Sequence, residues 1–382
     1  KTAWIGTTLM ISPIYDIKGP DSVKFLNSIA INDFSKLTEK GLRHAVLCND
    51  DGHVLTDGVV IKIGEDHYRT YWLNPPIDHY VKESGLDIEG IDMTGKEYFI
   101  QIAGEKSLEI LEDAFQSDLH DIKFARHRKA KLGEKEVEII RLGMSGNLGY
   151  EIHGPIEEFD EVYAKVWKSG QKFGAEKLGM HAYNLFNHTE AGFPNIHIHY
   201  PLPWFESDEK MTEYMYDNPQ AASYNINRTL KGSLGDNLHE RFVTPYDVGW
   251  GFLVNFNHDF RGKEALEKIA KNPQRTAVTL EWNADDIGAV FATQFKSDQE
   301  AAESIAGESD MNLPGNSFAG ETVYRNDRVQ HKGIDVGMST GRIVSYNYNR
   351  MISLGFINPD YAEIGTELIL IWGTPGTRQM PI

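Results

Sequence analysis

Three stretches of the sequence hold residue types that can do chemistry at short spacing. In the first, residues 142–152, several glycines precede a run that ends in Tyr150, Glu151 and Ile152. Glycines let a backbone approach a flat ligand closely, and a strand that follows them can present the Glu151 carboxylate to that ligand. Spacing alone favours a simpler interpretation, a glycine-rich hairpin with an exposed glutamate.

The other two stretches combine aromatic and charged residues. One runs from residue 178 to Tyr183 and continues from His188 to Phe193, and the other spans residues 247–266. Taken alone, Tyr183 is equally compatible with a core aromatic on a helix face, and residues 247–266 predict only a strand and a helix with a charged N-terminus.

Further groups follow these stretches. His197 and His199 alternate as in a strand, but two histidines without a clear third ligand do not predict a metal site, and we assign no metal. Four aromatic residues either line a pocket or pack a long loop: Tyr200, Trp204, Tyr214 and Tyr216. Residues 225–228 and 345–349 are candidate pocket walls without an assigned role.

Composition excludes some classes of function. The chain has 382 residues, 41% apolar and 25% charged, with a formal net charge of −18. This charge disfavours nucleic acid as a partner, and the basic run at residues 126–131 is interpreted as a solvated hairpin edge. The single cysteine, Cys48, cannot form an intrachain disulfide, which favours a reducing compartment.

The sequence shows no targeting or membrane signal. No apolar stretch approaches the roughly 20 residues of a membrane span. The N-terminus also lacks the basic and then apolar pattern of a signal peptide. We therefore expect a cytoplasmic protein with no membrane partner, and the sequence does not indicate its oligomeric state.

Periodicity predicts strands mixed with helices. In the first part of the chain, the predicted strands are 3–17, 44–49, 54–63, 67–73, 97–103 and two within 136–152. One helix is predicted to begin after Gly19, and three more are predicted at 104–116, 156–173 and 175–190. Hairpin turns, rather than regular crossovers, point to an α+β fold.

The C-terminal third is expected to be mostly β. Long ordered loops are predicted at 194–240 and a surface excursion at 296–321. The other predicted elements are a helix at 262–270 and strands at 276–282, 332–338, 341–345, 352–357 and 367–372. We accordingly predict two regions, an α+β region at 1–240 that contains two interleaved subdomains and a β region at 241–382.

In their order and separations, the three stretches resemble motifs of the aminomethyltransferase superfamily, the glycine-cleavage T-proteins. Those motifs are a T-G-Y-T-G-E-x-G-Y-E-I strand, a G-L-G-A-R-D-x-L-R-L-E-A-G helix and a D-F-I-G-R-E-A-L helix. Within the superfamily the chain looks most like the vanillate and syringate O-demethylases. The segments that carry this closer likeness are 182–183, 244–247, 256–260, 278–283 and 370–373.

This resemblance implies a fold and a cofactor. The fold is a set of folate-binding domains with ferredoxin-like sheets plus a C-terminal β-barrel, arranged around a central cleft. The cofactor is tetrahydrofolate, with Glu151 in the position that accepts hydrogen bonds from the pterin, and Phe193 and Met144 beside it. Tyr183 matches the tyrosine next to the methoxy group, where a phenol can stabilise the departing aryl oxygen.

Departures from the family pattern bear on the substrate. T-proteins have an essential acid where this chain has Thr56, followed by Asp57, which argues against glycine cleavage. Vanillate-type enzymes have an arginine for the substrate carboxylate where this chain has Asn74, and asparagine cannot replace its charge. A benzoate would need another cation, Arg69 or Arg43. The family's S-H-H-M segment is replaced by residues 9–13.

From these observations we predict an O-demethylase that transfers the methyl group of a small methoxylated aromatic compound to tetrahydrofolate. Tyr183 is the expected catalytic residue, and Asn74, Arg69 and Trp204 are expected to contact the substrate. One alternative is an S- or N-demethylase or aminomethyltransferase with a small sulfonium or amine donor. Another is a non-catalytic folate-binding assembly factor, but those relatives carry a K-G-C-Y-x-G-Q segment, and here Cys48 lies in an early strand.

Overall fold

A computed structural model describes residues 2–6, 12–179, 181–218, 227–306 and 321–382. Predictions at Met180, at residues 9–11, 225 and 226, and over most of the excursion lie outside the described residues. The chain forms two compact units from alternating segments. Unit 1 comprises Lys1–Leu47, Thr56–Tyr183 and Asn257–Phe260, and unit 2 comprises Cys48–Leu55, Asn184–Phe256 and Arg261–Ile382. The predicted boundary at 240 and 241 stays a prediction.

The described strands are numbered in chain order. They are β1 Trp4–Gly6, β2 Ile14–Lys18, β3 Leu42–Cys48, β4 Val54–Gly64, β5 His67–Tyr71, β6 Glu89–Asp92, β7 Glu97–Ala103, β8 Arg126–Leu132, β9 Lys135–Arg141, β10 Gly149–Pro155, β11 Glu176–Lys177, β12 Asn227–Lys231, β13 Thr276–Glu281, β14 Glu321–His331, β15 Ile334–Ser345, β16 Arg350–Ile357, β17 Ile369–Trp372 and β18 Met380–Pro381.

The described α-helices are numbered in the same way. They are α1 Ser22–Ile29, α2 Pro76–Glu83, α3 Ser107–Phe115, α4 Phe159–Lys172, α5 His188–Ala191, α6 Glu209–Asp217, α7 Lys263–Ile269 and α8 Ala284–Ala292, and a π-helix spans Ala182–Asn187. In the part of the chain that the structure describes, no helix has the length and apolar character to cross a membrane.

The first sheet of unit 1 has six strands in the order β11-β1-β7-β10-β9-β8. Side chains alternate between its two faces. On one face, Ile100 and Ile152 join a core that includes Ile110 of α3 and Val166 of α4. The residues that alternate with Ile100 and Ile152, such as Gln101 of β7 and Glu151 of β10, therefore lie on the opposite face of the sheet. The basic hairpin edge predicted at 126–131 corresponds to edge strand β8.

The second sheet of unit 1 has five strands in the order β3-β4-β5-β2-β6. Its residues Ile61 and Tyr71 form a core cluster with Ile140 of the first sheet. The two sheets of unit 1 thus pack against each other on the face that the helices leave uncovered.

The main sheet of unit 2 has the order β13-β16-β15-β14-β17-β18, with β12 paired to β14. Long antiparallel pairs join β14, β15 and β16, and a register shift in β15 lies between Thr340 and Ile343. The predicted barrel is a curled half-barrel sheet. Together with the mixed sheets and helices of unit 1, this sheet confirms the α+β fold class.

Most predicted elements are present within a few residues of the observed bounds, but the first part of the helix expected at 175–190 is not helical. Glu176 and Lys177 instead form β11, which pairs in parallel with β1. The helical residues of this segment belong to the π-helix and to α5, which follow β11. Long-range backbone pairing has outweighed the local helical pattern.

Several further elements differ from the prediction. The strand predicted at 3–17 is two strands, β1 and β2, which belong to different sheets, and α2 and β14 were not predicted. Helix α6 lies where loops were expected, and its N-cap Asp208 accepts a hydrogen bond from the backbone N–H of Met211. Helix α8 was missed, although Asn283 caps its first turn. The two strands predicted at 332–338 and 341–345 are the single strand β15, interrupted by a bulge at Gly341.

Candidate functional site

Glu151 lies on the face of the first sheet that is not covered by helices. Its neighbours Tyr150 and Ile152 point into the helix-packed core. In the strand register Glu151 lies opposite Gln101 of β7, and His153 lies opposite Phe99. All four of these side chains are buried, with Glu151 only 5% exposed. The sequence therefore located the strand correctly, but the exposed glutamate of the simpler interpretation is wrong.

The Glu151 carboxyl has neutral neighbours. Gln101 donates from Nε2 to Oε1 of Glu151 at 3.4 Å, and Nε2 of His153 lies 3.3 Å from Oε2. Burial raises the pKa of Glu151 to about 8. Burial, together with the nearby charges of Arg69 and His127, lowers the pKa of His153 to about 3. At neutral pH both groups are therefore mostly uncharged.

Among the described residues, three polar atoms of this part of unit 1 have no hydrogen-bond partner. They are Oε1 of Gln101, Nδ1 of His153 and Oγ of Ser145, and all three are buried. Gln101 Nε2 also lies 3.6 Å from Sδ of Met144, the residue before Ser145. Buried polar groups are normally hydrogen-bonded because leaving them unpaired is costly. This set of donors and acceptors fits a flat, polar heterocycle such as a pterin.

Tyr183 lies in an aromatic cluster of unit 1. It is 4% exposed and forms a small core with Phe99, against which Trp72 and Met144 pack. Its ring makes a T-shaped contact with Trp4, with 6.3 Å between centroids. Burial raises the pKa of the Tyr183 phenol well above its usual value, and Glu151, once ionised at high pH, acts in the same direction. The phenol therefore stays protonated and keeps its ability to donate a hydrogen bond.

The π-helix Ala182–Asn187 carries Tyr183. A π-helical turn replaces the usual bond to the fourth preceding residue, and such turns are frequent at functional sites. Tyr183 itself, near the start of this segment, keeps the ordinary α-helical bond, since its backbone N–H donates to the carbonyl of Gly179. The chain thus places an aromatic side chain beside Met144 and Phe99 from a segment outside the sheet.

The two proposed substrate contacts on the second sheet differ in their surroundings. Arg69 donates to both carboxylate oxygens of Asp16 at 2.6 and 2.7 Å, and it also pairs with Glu97. Binding a substrate carboxylate would require it to leave two acids. Asn74 is half-buried, and its Oδ1 has no hydrogen-bond partner among the residues that the structure describes. Both assignments stay predictions, and the geometry favours Asn74.

Thr56 is fully buried, and its hydroxyl donates to the carbonyl of Trp72 at 2.9 Å. The next residue, Asp57, lies 2.8 Å from Nε2 of His44. At the position where T-proteins carry an acid, this chain therefore has a hydroxyl whose hydrogen is used within the fold.

The remaining predicted contacts belong to unit 2. Phe193 is half-buried, and its ring lies 5.5 Å from that of Trp250 and 5.8 Å from that of His188. Trp204 is 2% exposed, and its Nε1 donates to the carbonyl of Leu55 at 2.6 Å. Its indole thus has the contacts of a packing residue. The cofactor role of Phe193 and the substrate role of Trp204 stay predictions.

The two histidines of residues 197–199 are engaged within unit 2. The backbone N–H of Asn195 donates to Nδ1 of His199, so the proton of this neutral ring lies on Nε2, which faces the Thr189 hydroxyl at 3.1 Å. His197 Nδ1 lies 3.3 Å from the Tyr324 hydroxyl. Burial lowers the pKa of both histidines to about 3. They are neutral structural groups at neutral pH.

Three groups elsewhere in unit 1 have metal-ligand spacing. Ligand atoms of Glu112, Asp118 and His120 all lie within 4.8 Å of one another, and two of the three residues are exposed. Exposed acidic groups commonly approach one another without a metal, so our assignment of no metal stays a prediction.

Sequence reasoning missed Gln101, His153 and Trp72. The first two interrupt otherwise apolar alternation in β7 and β10, a signal that was available in the sequence. Trp72 follows β5 without any comparable pattern. Its contacts with Phe99 and Tyr183 depend on the packing of the two sheets.

Comparison with known proteins identifies related sequences. A family model described as the GCVT N-terminal domain matches residues 13–198. The sequence is 48% identical, over 385 aligned positions, to a sesamin methylene transferase from Sinomonas sp. (strain No.22), covering 100% of this chain and 84% of that relative. It is 29% identical to a syringate O-demethylase from Sphingobium sp. (strain NBRC 103272 / SYK-6), covering 98% and 82% of the two chains.

A solved structure has a similar fold. The crystal structure of the glycine cleavage system aminomethyltransferase T from Bartonella henselae matches with a TM-score of 0.67, covering 100% of this chain and 84% of that one. The two sequences are 16% identical. At this identity the likeness concerns the fold alone.

Proposed function

The chain belongs to the aminomethyltransferase superfamily of glycine-cleavage T-proteins, and on this premise we propose that it transfers a one-carbon group from an aromatic ether to tetrahydrofolate. The predictions of this family and of a methyltransferase enzyme are confirmed. Family membership implies folate use. The non-catalytic alternative is set aside, because relatives that align over nearly the whole chain are named as a transferase and a demethylase.

The folate half of the proposal is supported by Glu151 and its surroundings. A buried carboxyl whose polar neighbours are neutral gains most from a ligand that brings N–H donors, because two such bonds stabilise the ionised form. Gln101 and His153, which contact it, each have a further polar atom without a hydrogen-bond partner among the described residues. We propose that Glu151 and Met144 contact the cofactor, and the cofactor role of Phe193 stays a prediction from the family resemblance. Tetrahydrofolate supplies a secondary amine that accepts the one-carbon group.

The observation that carries the transfer half is the neutral, buried phenol of Tyr183. When a methyl–oxygen bond of a methoxyarene breaks, negative charge develops on the aryl oxygen. A hydrogen bond or proton from the Tyr183 hydroxyl stabilises that charge in a site from which water is excluded. The overall products are a phenol and 5-methyltetrahydrofolate. The proton lost by the amine balances the proton that the phenol gains.

A second donor class is favoured by one observation. The relative that is 48% identical over the whole chain is named a sesamin methylene transferase. The same residues could release both oxygens of a methylenedioxy ring, which would give a catechol and 5,10-methylenetetrahydrofolate. In that case two protons from the folate amines end on the two catechol oxygens.

The experiment uses purified full-length protein, tetrahydrofolate and matched donors. The panel contains a methoxyphenol, a methylenedioxyarene, a sulfonium and a methylated amine, and products are identified by mass spectrometry. Release of a phenol with 5-methyltetrahydrofolate supports O-demethylation, and release of a catechol with 5,10-methylenetetrahydrofolate supports methylene transfer. Transfer only from the sulfonium or amine would overturn the aromatic-ether proposal in favour of the S- or N-demethylase. No transfer from any donor would overturn the proposal altogether.

A further inference from the structure

We propose that Trp72 is a specificity-determining residue, whose indole forms the wall against which a neutral aromatic donor lies, and that Thr56 holds Trp72 in place. This inference rests on the proposed function and names the class of donor for that same site. It concerns residues of unit 1 only, and neither role was predicted from the sequence.

The backbone of Trp72 is in an unusual conformation. Its φ angle is +68°, in the left-handed region that bulky side chains rarely adopt. Such a conformation persists only where the surroundings fix it, and it occurs often at ligand sites. Here the Trp72 N–H donates to the carbonyl of Pro13 at 2.9 Å, and the Trp72 carbonyl accepts from Thr56 at 2.9 Å. Both backbone polar groups of this residue are therefore fixed.

The left-handed turn changes where the indole points. In a regular strand, consecutive residues face opposite sides of the sheet. Tyr71 is the last residue of β5, yet Tyr71 and Trp72 both pack in the cluster between the two sheets. Trp72 also contacts the pair formed by Phe99 and Tyr183. The turn therefore delivers a second large aromatic ring to the side that already carries Tyr71.

The exposure of these rings differs. Phe99 and Tyr183 are buried, whereas Trp72 and Trp4 are only partly buried. A partly exposed indole beside the Tyr183 phenol can offer its flat face to another aromatic ring. Offset or edge-on ring pairs are favourable beyond the area that they bury. Trp72 thus has the position and the chemistry to orient an aryl ether whose oxygen faces Tyr183.

The charges nearby favour a neutral ring. Arg69, which precedes Trp72 by three residues, is held by Asp16 and Glu97. Asn74, which follows it by two, has an acceptor oxygen that no described residue contacts with a hydrogen bond. A phenolic hydroxyl can donate to that oxygen, whereas a carboxylate cannot, and a carboxylate would also be repelled by Glu97 unless Arg69 left its partners.

Thr56, which stands where T-proteins have an acid, is also the residue that binds the Trp72 carbonyl. An ionised acid at this buried position could only accept hydrogen bonds, so it would repel the Trp72 carbonyl. The threonine hydroxyl donates to it instead. Threonine in place of the acid thus removes a group that T-proteins use for amine donors. The same threonine also holds the indole of Trp72 in place.

The test compares four variants in steady-state kinetics with the donor that the wild type uses best. We expect Trp72→Ala to raise KM for the donor at least tenfold, with kcat changed less and the Kd for tetrahydrofolate within twofold. Trp72→Phe keeps an aromatic face and should recover most of the loss. Thr56→Val removes the hydroxyl at nearly constant volume and should shift KM in the same direction, whereas Thr56→Ser should stay close to wild type. Trp167→Phe, on helix α4, is the matched control.

Folding is monitored by near-UV circular dichroism and by folate binding, so that a misfolded variant is not read as a specificity change. If Trp72→Ala folds and turns over with an unchanged KM, the inference is overturned while the proposed function stands. If Thr56→Val unfolds, the comparison of Trp72→Phe with Trp72→Ala still decides the role of the indole. If the wild type transfers nothing and binds no aromatic ether by calorimetry, the proposed function and this inference fall together.

The donor class is tested with a matched pair, a methoxyphenol and the same ring bearing a carboxylate. We expect kcat/KM to be at least tenfold higher for the neutral ring. A preference for the carboxylated ring that disappears in Arg69→Gln would overturn the neutral-donor part and would assign Arg69 to substrate binding.

Discussion

Glu151 and His153 are separated by one residue on β10, and the carboxyl Oε2 of the first lies 3.3 Å from the imidazole Nε2 of the second. Both side chains are buried. Burial holds the carboxyl pKa at about 8 and the imidazole pKa near 3, so the pair is neutral at pH 7. A neutral pair of this kind keeps one carboxyl ready to ionise when a ligand supplies hydrogen-bond donors.

The first prediction concerns folate affinity. Glu151→Gln keeps the shape of the side chain but cannot ionise, so we expect tetrahydrofolate to bind roughly 10- to 100-fold more weakly at pH 8, since hydrogen bonds to a charged group contribute about 1.5–3 kcal/mol. Titration calorimetry measures this loss. Glu157→Gln removes an exposed carboxylate after the same strand and should bind as the wild type does. Equal affinities in all three proteins would remove Glu151 from the folate site.

The second prediction concerns the pH dependence of that affinity. If the ligand binds the ionised carboxyl, the free protein must release a proton from Glu151 below its pKa of about 8. Affinity should therefore rise with pH, by at most about tenfold per pH unit, and level off above pH 8. Calorimetry in buffers of different ionisation enthalpy should detect proton release at pH 7. Glu151→Gln should show neither effect, and a wild-type affinity that falls toward pH 8 would contradict the assignment.

The third prediction concerns stability. The folded pKa of Glu151, about 8, lies above the ordinary value of 4.5. Its stabilising contribution is therefore complete below pH 4.5 and is lost as pH rises through 8. Relative to the wild type, Glu151→Gln should gain stability with rising pH in that window, by at most about 1.4 kcal/mol per unit. Urea unfolding of both proteins between pH 5 and pH 9 measures this difference in unfolding free energy. Parallel stability curves would show that Glu151 ionises normally.

The sequence predicted more of the proposed folate site than of the proposed substrate site. Glu151 follows a glycine-rich turn and lies in a strand with clear alternation, and both signals are local. Gln101 lies 50 residues away and joins the site only through the pairing of β7 with β10. Strand pairing over such separations follows from tertiary packing, which local patterns do not encode.

Trp72 shows why the rest could not be predicted. Bulky residues seldom adopt a left-handed backbone, so propensity gives the opposite expectation. Its conformation depends on Thr56 and Pro13, which are distant in sequence from it. The error at residues 175–190 has a related origin, since pairing with β1 replaced a locally plausible helix.

The fourth prediction concerns the packing of unit 2 at Gly341. Its φ is +64°, and an added Cβ would lie 2.4 Å from Cδ2 and Nε2 of His199. Gly341→Ala therefore combines backbone strain with a clash against a buried ring, and we expect a loss of about 2–4 kcal/mol in unfolding free energy. Gly333→Ala is the matched control, because its φ is +80° but nothing lies within 4 Å. Denaturant unfolding should show that the control loses about 1 kcal/mol of unfolding free energy. Equal losses of unfolding free energy in the two variants would mean that the His199 ring moves aside without a measurable cost.

The fifth prediction concerns the leaving oxygen. Tyr183→Phe removes the hydroxyl that burial keeps protonated. We expect kcat to fall by about 10²- to 10⁴-fold, the usual size of a general-acid contribution, with the Kd for tetrahydrofolate unchanged. Tyr163→Phe, on the helix-covered side of the first sheet, should turn over normally. A nitrophenyl methyl ether leaves as a more stable phenolate, so it needs less help and should lose much less rate in Tyr183→Phe. A loss of equal size for both donors would show that Tyr183 acts on binding or packing and not on the departing oxygen.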